Sequence, residues 1–130
     1  MDRPKRILCV DDEPDMRMVL ERALALTLEA EVATAGSAEE AFDYLEKHPP
    51  PDVILLDGVM PGIDGFQACE RLAADPRYRT IPIVFLSARS DDRDRERARA
   101  VGATACLAKP FDPMTIGDEI CAALEHRPDP

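Results

Sequence analysis

Val53-Ile54-Leu55-Leu56-Asp57-Gly58-Val59-Met60-Pro61-Gly62 joins an unbroken apolar run to a single acid and then to a glycine-proline loop. Four apolar residues in a row, without polar alternation, fit a strand buried on both faces. Ile7-Leu8-Cys9-Val10 repeats the pattern and also ends in acid, Asp11-Asp12-Glu13. Strands of this kind, lying together, bring like charges side by side at their C-terminal ends. Repulsion and desolvation both oppose that. A fold keeps such an arrangement only if a cation, usually a metal, sits among the carboxylates.

Outward from these two runs, the chain alternates apolar strands with helix-period segments. After the strand at 7–10, Met16, Val19, Leu20, Ala23 and Leu24 share one helical face. Residues 31–35 alternate more and read as an edge-like strand. Ser37 and Glu40 match a capping box ahead of Ala38, Ala41, Phe42 and Leu45. Pro49-Pro50-Pro51 stops that helix, and the strand at 53–56 follows. After the loop at 61–65, Phe66, Cys69, Leu72 and Ala73 mark the next helix. Residues 83–86 form a fourth strand, with Pro82 at its start. Residues 91–101 form a helix so charged that only Ala98 and Val101, with Ala100 nearby, are fit to pack. Gly102 is its expected C-cap.

Residues 105–108 give the weakest strand signal. Asp112-Pro113 opens the last helix as N-cap and first-turn proline. Its stripe is Ile116, Ile120 and Leu124, and Gly117 inside it costs about 1 kcal/mol against alanine. The expected core is 5–125, with a frayed tail at 127–130. Five strand–helix units in series imply an α/β fold: a doubly wound, five-stranded parallel sheet with helices on both faces. Sites in such sheets lie at the carboxyl ends of the strands, where strand order reverses. Asp11, Asp12, Asp57, Ser87 and Lys109 all fall at strand ends.

Composition narrows the function. At 130 residues the expectation is one domain with one solid core. Sixteen basic against 26 acidic side chains leave a net charge of −10, which argues against direct nucleic-acid binding. No apolar stretch approaches the roughly 20 residues of a membrane span, and the opening Met1-Asp2-Arg3-Pro4-Lys5-Arg6 does not lead into a long apolar segment, so no secretory signal and a cytoplasmic protein are expected. Cys9, Cys69, Cys106 and Cys121 lie far apart in apolar or helical stretches and read as small buried hydrophobes. His48 and His126 stand nowhere near them, which excludes a clustered zinc site.

The remaining constellation has a chemistry of its own. A few carboxylates with an open approach suit magnesium, a hard cation that also takes water and phosphate oxygens. Lys109 supplies a compact cation for a carboxylate or a phosphate, and Ser87 a hydroxyl. A metal-held aspartate can act as a nucleophile toward phosphorus. Val10-Asp11-Asp12-Glu13, Leu56-Asp57-Gly58-Val59-Met60-Pro61-Gly62, Leu86-Ser87-Ala88 and Lys109-Pro110-Phe111 together resemble the signature blocks of the response-regulator receiver domain. They stand in that family's order and approximate spacing, over essentially all of residues 5–125.

The resemblance implies a flavodoxin-like strand order of 2-1-3-4-5 and specific roles. Asp57 accepts phosphoryl from a histidine kinase or histidine phosphotransfer protein. Asp12, Asp57 and the Val59 carbonyl bind Mg2+ directly, and Asp11 acts mainly through water. Lys109 pairs with Asp57 and then with the phosphoryl oxygens; Ser87 swings to that group. Lys109-Pro110 resembles the family's cis peptide. Val59 and Arg89, two residues after Asp57 and Ser87, tune the phosphoryl lifetime. Cys106 departs from the family, which places Tyr or Phe three residues before the lysine. A thiol cannot move a ring's worth of area, about 150 Å² or more, so either Ser87 and its loop are expected to carry the switch alone or the output surface is expected to report phosphorylation weakly.

Such a chain is a phosphoacceptor rather than a classical enzyme. It is either free-standing or part of a larger regulator with a fused output domain. Its downstream protein target should dock on the helix 4–strand 5–helix 5 face, through which a homodimer is a further expectation. Two rivals stand beside this reading. A pseudo-receiver would use the same fold as a constitutive binding module. A magnesium phosphohydrolase would want a second acid two residues after Asp57, where this chain has Val59.

Overall fold

The computed structural model describes residues 3–58, 60, 62, 64–87 and 92–125, without the side chains of Asp92 and Asp94. Val59, Arg89, Asp91, His126 and the tail at 127–130 therefore lie outside the described residues. Elements alternate along the chain: β1 (Arg6–Val10), α1 (Pro14–Leu28), β2 (Glu31–Ala35), α2 (Ala38–Lys47), β3 (Val53–Asp57), α3 (Gly65–Ala74), β4 (Ile83–Ser87), α4 (Asp92–Ala100), β5 (Ala105–Ala108) and α5 (Ile116–Glu125). The strands form one parallel sheet in the order β2-β1-β3-β4-β5, as expected. The strand period of two then sorts the core. Leu8, Val10, Ile54, Leu56, Ile83 and Phe85 pack with α2, α3 and Ala98 of α4. Ile7, Cys9, Val53, Leu55, Val84 and Leu86 pack with α1 and α5. Both faces are covered, which is why the three central strands carry no polar alternation.

Helix ends depart from expectation in instructive ways. Ser37 does cap α2, its Oγ accepting the Glu40 N–H at 3.1 Å. The Glu40 carboxylate, however, accepts the N–H of Gly36 at 3.0 Å, so the reciprocal bond falls one residue upstream of a capping box. A complete box sits instead on α3, between Asp64 and Gln67. The last helix begins at Ile116 rather than at Pro113. Asp112 accepts the Met114 N–H with its carboxylate and those of Thr115 and Ile116 with its carbonyl, which closes a turn over 113–115 first. Val19 is 38% exposed and Ala73 and Ala100 are exposed, so they leave the stripes assigned to them. Gly102 at φ 92° ends α4 as expected. It donates to the Arg99 carbonyl at 3.1 Å, and Ala103 donates to that of Ala98 at 3.0 Å, the paired bonds of a Schellman ending.

Gly117 is a helical glycine with a packing reason. A Cβ there would lie 2.8 Å from Thr27 Oγ1 and 3.0 Å from Leu28 Cγ, so α1 and α5 meet where only hydrogen fits. Thr27 is not free to turn away, since its hydroxyl donates to the Ala23 carbonyl at 2.7 Å. Gly117→Ala gains about 1 kcal/mol of helix propensity and meets an overpacking cost of about 1–3 kcal/mol. The expected result is a net loss of about 1 kcal/mol in urea unfolding at neutral pH; a raised midpoint would refute the close-packing account. Among the described residues no helix is long and apolar enough to cross a membrane.

Candidate functional site

The strand order reverses between β1 and β3, since β1 continues to β2 on one side while β3 pairs with its other edge. Asp11 and Asp12 follow the last residue of β1, and Asp57 is itself the last residue of β3. On the other side of Asp57, Ser87 ends β4 and lies opposite Ala108 of β5. Lys109 follows, its N–H bonded to the Ser87 carbonyl at 2.8 Å, and the Lys109–Pro110 peptide is cis. Asp11, Asp12 and Asp57 each offer a carboxylate oxygen within 4.8 Å of the others. Lys109 Nζ lies 2.9 Å from Asp11 Oδ2 and 3.5 Å from Asp57 Oδ2. The topology thus brings together every predicted site residue among those described, apart from Cys106.

Charge balance decides what the cluster wants. Asp11 is 1% exposed and Asp57 7%, yet among the described residues three carboxylates face one ammonium. Like charges about 4 Å apart repel by roughly 4 kcal/mol at an effective dielectric near 20, more than a single half-screened lysine offsets. Burial works against the Lys109 ammonium, but its hydrogen bond to Asp11 and the charges of Asp57 and Asp11 outweigh it, and its pKa lies above the ordinary 10.5. The Asp11 carboxylate is held at both oxygens, by Lys109 and by the Glu13 N–H at 2.9 Å. It closes this loop turn and does not cap α1, whose N-cap is Glu13 followed by Pro14. The Asp12 carboxylate, among the described residues, has no hydrogen bond or ion pair. An all-oxygen donor set with more acids than cations among the described residues, and an uncommitted Asp12 carboxylate, fits a hard divalent cation of the magnesium type.

Cys106 sits on β5 opposite Phe85 of β4, half-buried against the core cluster of α2, α3 and α4. Cys9 and Cys69 are buried as expected, whereas Cys106 and Cys121 are only partly so. Burial pushes the Cys69 thiol up to about 12 and that of Cys9 higher still. One residue near the acids escaped the sequence reading. Arg17, half-buried on α1, donates from Nη1 to the backbone carbonyl of Asp11 at 2.7 Å. Its spacing from Asp11 could have suggested a contact, but nothing in the residue types marks it.

Comparison with known proteins agrees with the geometry. The family described as the response regulator receiver domain matches residues 7–121. Response regulator Rre1 of Synechocystis is 40% identical over 126 residues, covering 97% of this chain and 52% of that protein. Transcriptional regulatory protein YvrH of Bacillus subtilis is 38% identical over 120 residues, 92% of this chain and 49% of its own length. The chain thus spans about half the length of the relatives it matches. Among solved structures, the Vibrio cholerae chemotaxis protein CheY4 superposes with a TM-score of 0.84 at 30% identity, over 91% of this chain and 97% of CheY4. With a matching family over most of its length, the expected sheet order and the acids gathered at the switch point, this chain belongs to the response regulator receiver domain family.

Proposed function

We propose that this receiver of two-component signalling takes a phosphoryl group onto Asp57 from a phosphohistidine, with magnesium held by Asp11, Asp12 and Asp57. A single observation carries the reading: Asp57 ends β3 with two further acids and Lys109 around it. A carboxylate oxygen of Asp57 attacks phosphorus, the P–N bond breaks, and its electron pair returns to the imidazole nitrogen, which takes up a proton. Bound magnesium would supply positive charge to the transferring group. Lys109, 3.5 Å from Asp57 Oδ2, exchanges part of its carboxylate contact for a phosphoryl oxygen. Ser87, buried at the end of β4, couples the modified acid to the loop that follows. The chemistry stops at the acyl phosphate and its hydrolysis; turnover of external phosphoesters is not expected.

The donor is a histidine kinase or histidine phosphotransfer protein. The output is read on the α4–β5–α5 face, by a downstream protein, an attached output domain or a second copy. That face carries a cavity of about 420 Å³ lined by Arg95, Arg99, Thr104 and Cys106. Relatives about twice as long, including one named as a transcriptional regulator, support an attached output domain as one form of the whole protein.

Incubation with acetyl phosphate and magnesium, followed by intact-mass measurement, tests the reading. Wild type should gain one phosphoryl group and Asp57→Asn none. A wild type that gains nothing with magnesium present would instead favour a constitutive binding module of the same fold.

A further inference from the structure

The peptide that joins Asp11 to Asp12 is gripped from outside the acidic cluster. Its carbonyl accepts from Arg17 Nη1 at 2.7 Å, and the Asp11 N–H donates to the Ala35 carbonyl at 3.0 Å. The guanidinium lies against Gly36, where a Cβ would stand 3.1 Å from Nη1. Asp11 has its own carboxylate anchors in Lys109 and Glu13, but Asp12 has none among the described residues. The direction of the Asp12 side chain therefore rests on its backbone, and the only side chain among the described residues that bonds this peptide is that of Arg17.

We infer that Arg17 is a positioning residue for the divalent cation: by fixing the Asp11–Asp12 peptide, it aims the Asp12 carboxylate at the ion. The inference rests on the proposed magnesium site. Two physical effects of Arg17 have opposite signs, which makes the role testable. As a bare charge near three acids, it weakens cation binding, so its removal would tighten the site. As an orienting group it strengthens binding, because outer partners of metal ligands typically carry 10–100-fold in affinity. Half-burial and a 2.7 Å charge-assisted bond favour the second.

The experiment is calorimetric titration of the full chain with magnesium alone, for wild type, Arg17→Met, Arg17→Lys and Gly36→Ala, with folding checked by metal-free thermal unfolding. Arg17→Met should bind magnesium about tenfold more weakly. Arg17→Lys, which can still donate to one carbonyl, should recover most of that loss. Gly36→Ala, which crowds the guanidinium, should fall between. Magnesium affinity that is unchanged or tighter in Arg17→Met, beside a wild type that binds, would overturn the inference and leave the proposed site standing. A wild type without magnesium affinity would remove both. Should Arg17→Met fail to fold, Gly36→Ala carries the comparison, and wild-type magnesium affinity in that variant would equally overturn the inference.

Discussion

Replacing Lys109 with methionine should make this domain dependent on magnesium for its stability. Among the described residues the Lys109 ammonium is the cation placed against the acids of the cluster, at 2.9 Å from Asp11 and 3.5 Å from Asp57. Removing one partner of a buried ion pair strands the other charge, at a cost of about 3–5 kcal/mol. Methionine keeps the packing of the lysine stem, so the deficit reports charge rather than volume. A divalent cation can supply the missing charge, and the loss should shrink by more than half in saturating magnesium. Wild type, already part-neutralised, should gain less from the metal. Urea unfolding of both proteins at pH 7, with and without magnesium, measures this. A variant as stable as wild type without metal, or one that gains no more from it, would remove the electrostatic account of the site. The pH dependence has a definite sign. The Lys109 pKa is raised in the folded state, so its stabilisation is complete below the ordinary value of 10.5 and disappears as pH rises past the folded value. The wild-type advantage over Lys109→Met should therefore hold at pH 7 and decline only in the alkaline range above 10.5.

That site was legible because strand ends are. Apolar runs without alternation announce strands buried on both faces, and whatever polar residue ends such a run must sit at the sheet's C-terminal edge. Asp57, Ser87 and the Asp11-Asp12 pair follow from this rule, and Lys109 follows from the strand with the weakest signal. Contacts between side chains and backbone were not legible, because they depend on the path of the intervening loop. Glu40 lies three residues from Ser37, as a capping box requires, yet the chain presents the Gly36 N–H to it instead. Asp64 and Gln67 satisfy the box fully without the Ser or Thr that draws attention to it. Asp112 carries the capping chemistry expected of it but spends it on a turn, which delays α5 by three residues. Arg17 belongs to the same class: the sequence shows an arginine on a helix, and only the turn after β1 directs it at the Asp11 carbonyl.

Gly65→Ala should be the most damaging alanine substitution among the glycines. A Cβ at this position would run into the backbone oxygen of Asp57 and lie 3.0 Å from both its carbonyl carbon and the Phe85 ring. The first contact is with backbone, so no rotamer change relieves it. The start of α3 and the end of β3 must move apart, and both are tied. Asp64 and Gln67 lock the helix start, while Gly58 donates to the Leu86 carbonyl just beyond Asp57. Overpacking of this kind costs about 3 kcal/mol, or roughly 10 °C in unfolding midpoint for a domain of this size. The residue displaced is the proposed phosphoacceptor. A misplacement approaching an ångström can lower a rate by about 100-fold, so phosphorylation by acetyl phosphate should fall by that order even well below the new midpoint. Gly62→Ala is the matched control. That glycine has φ 77°, but among the described residues a Cβ there meets only the Glu39 carboxylate, at 3.9 Å. Its cost is the left-handed backbone alone, about 1–2 kcal/mol, and its phosphorylation rate should stay within a few-fold of wild type. Equal rates in Gly65→Ala and wild type would show that β3 and α3 can separate without moving Asp57, and the rigid seating of that acid would have to be abandoned.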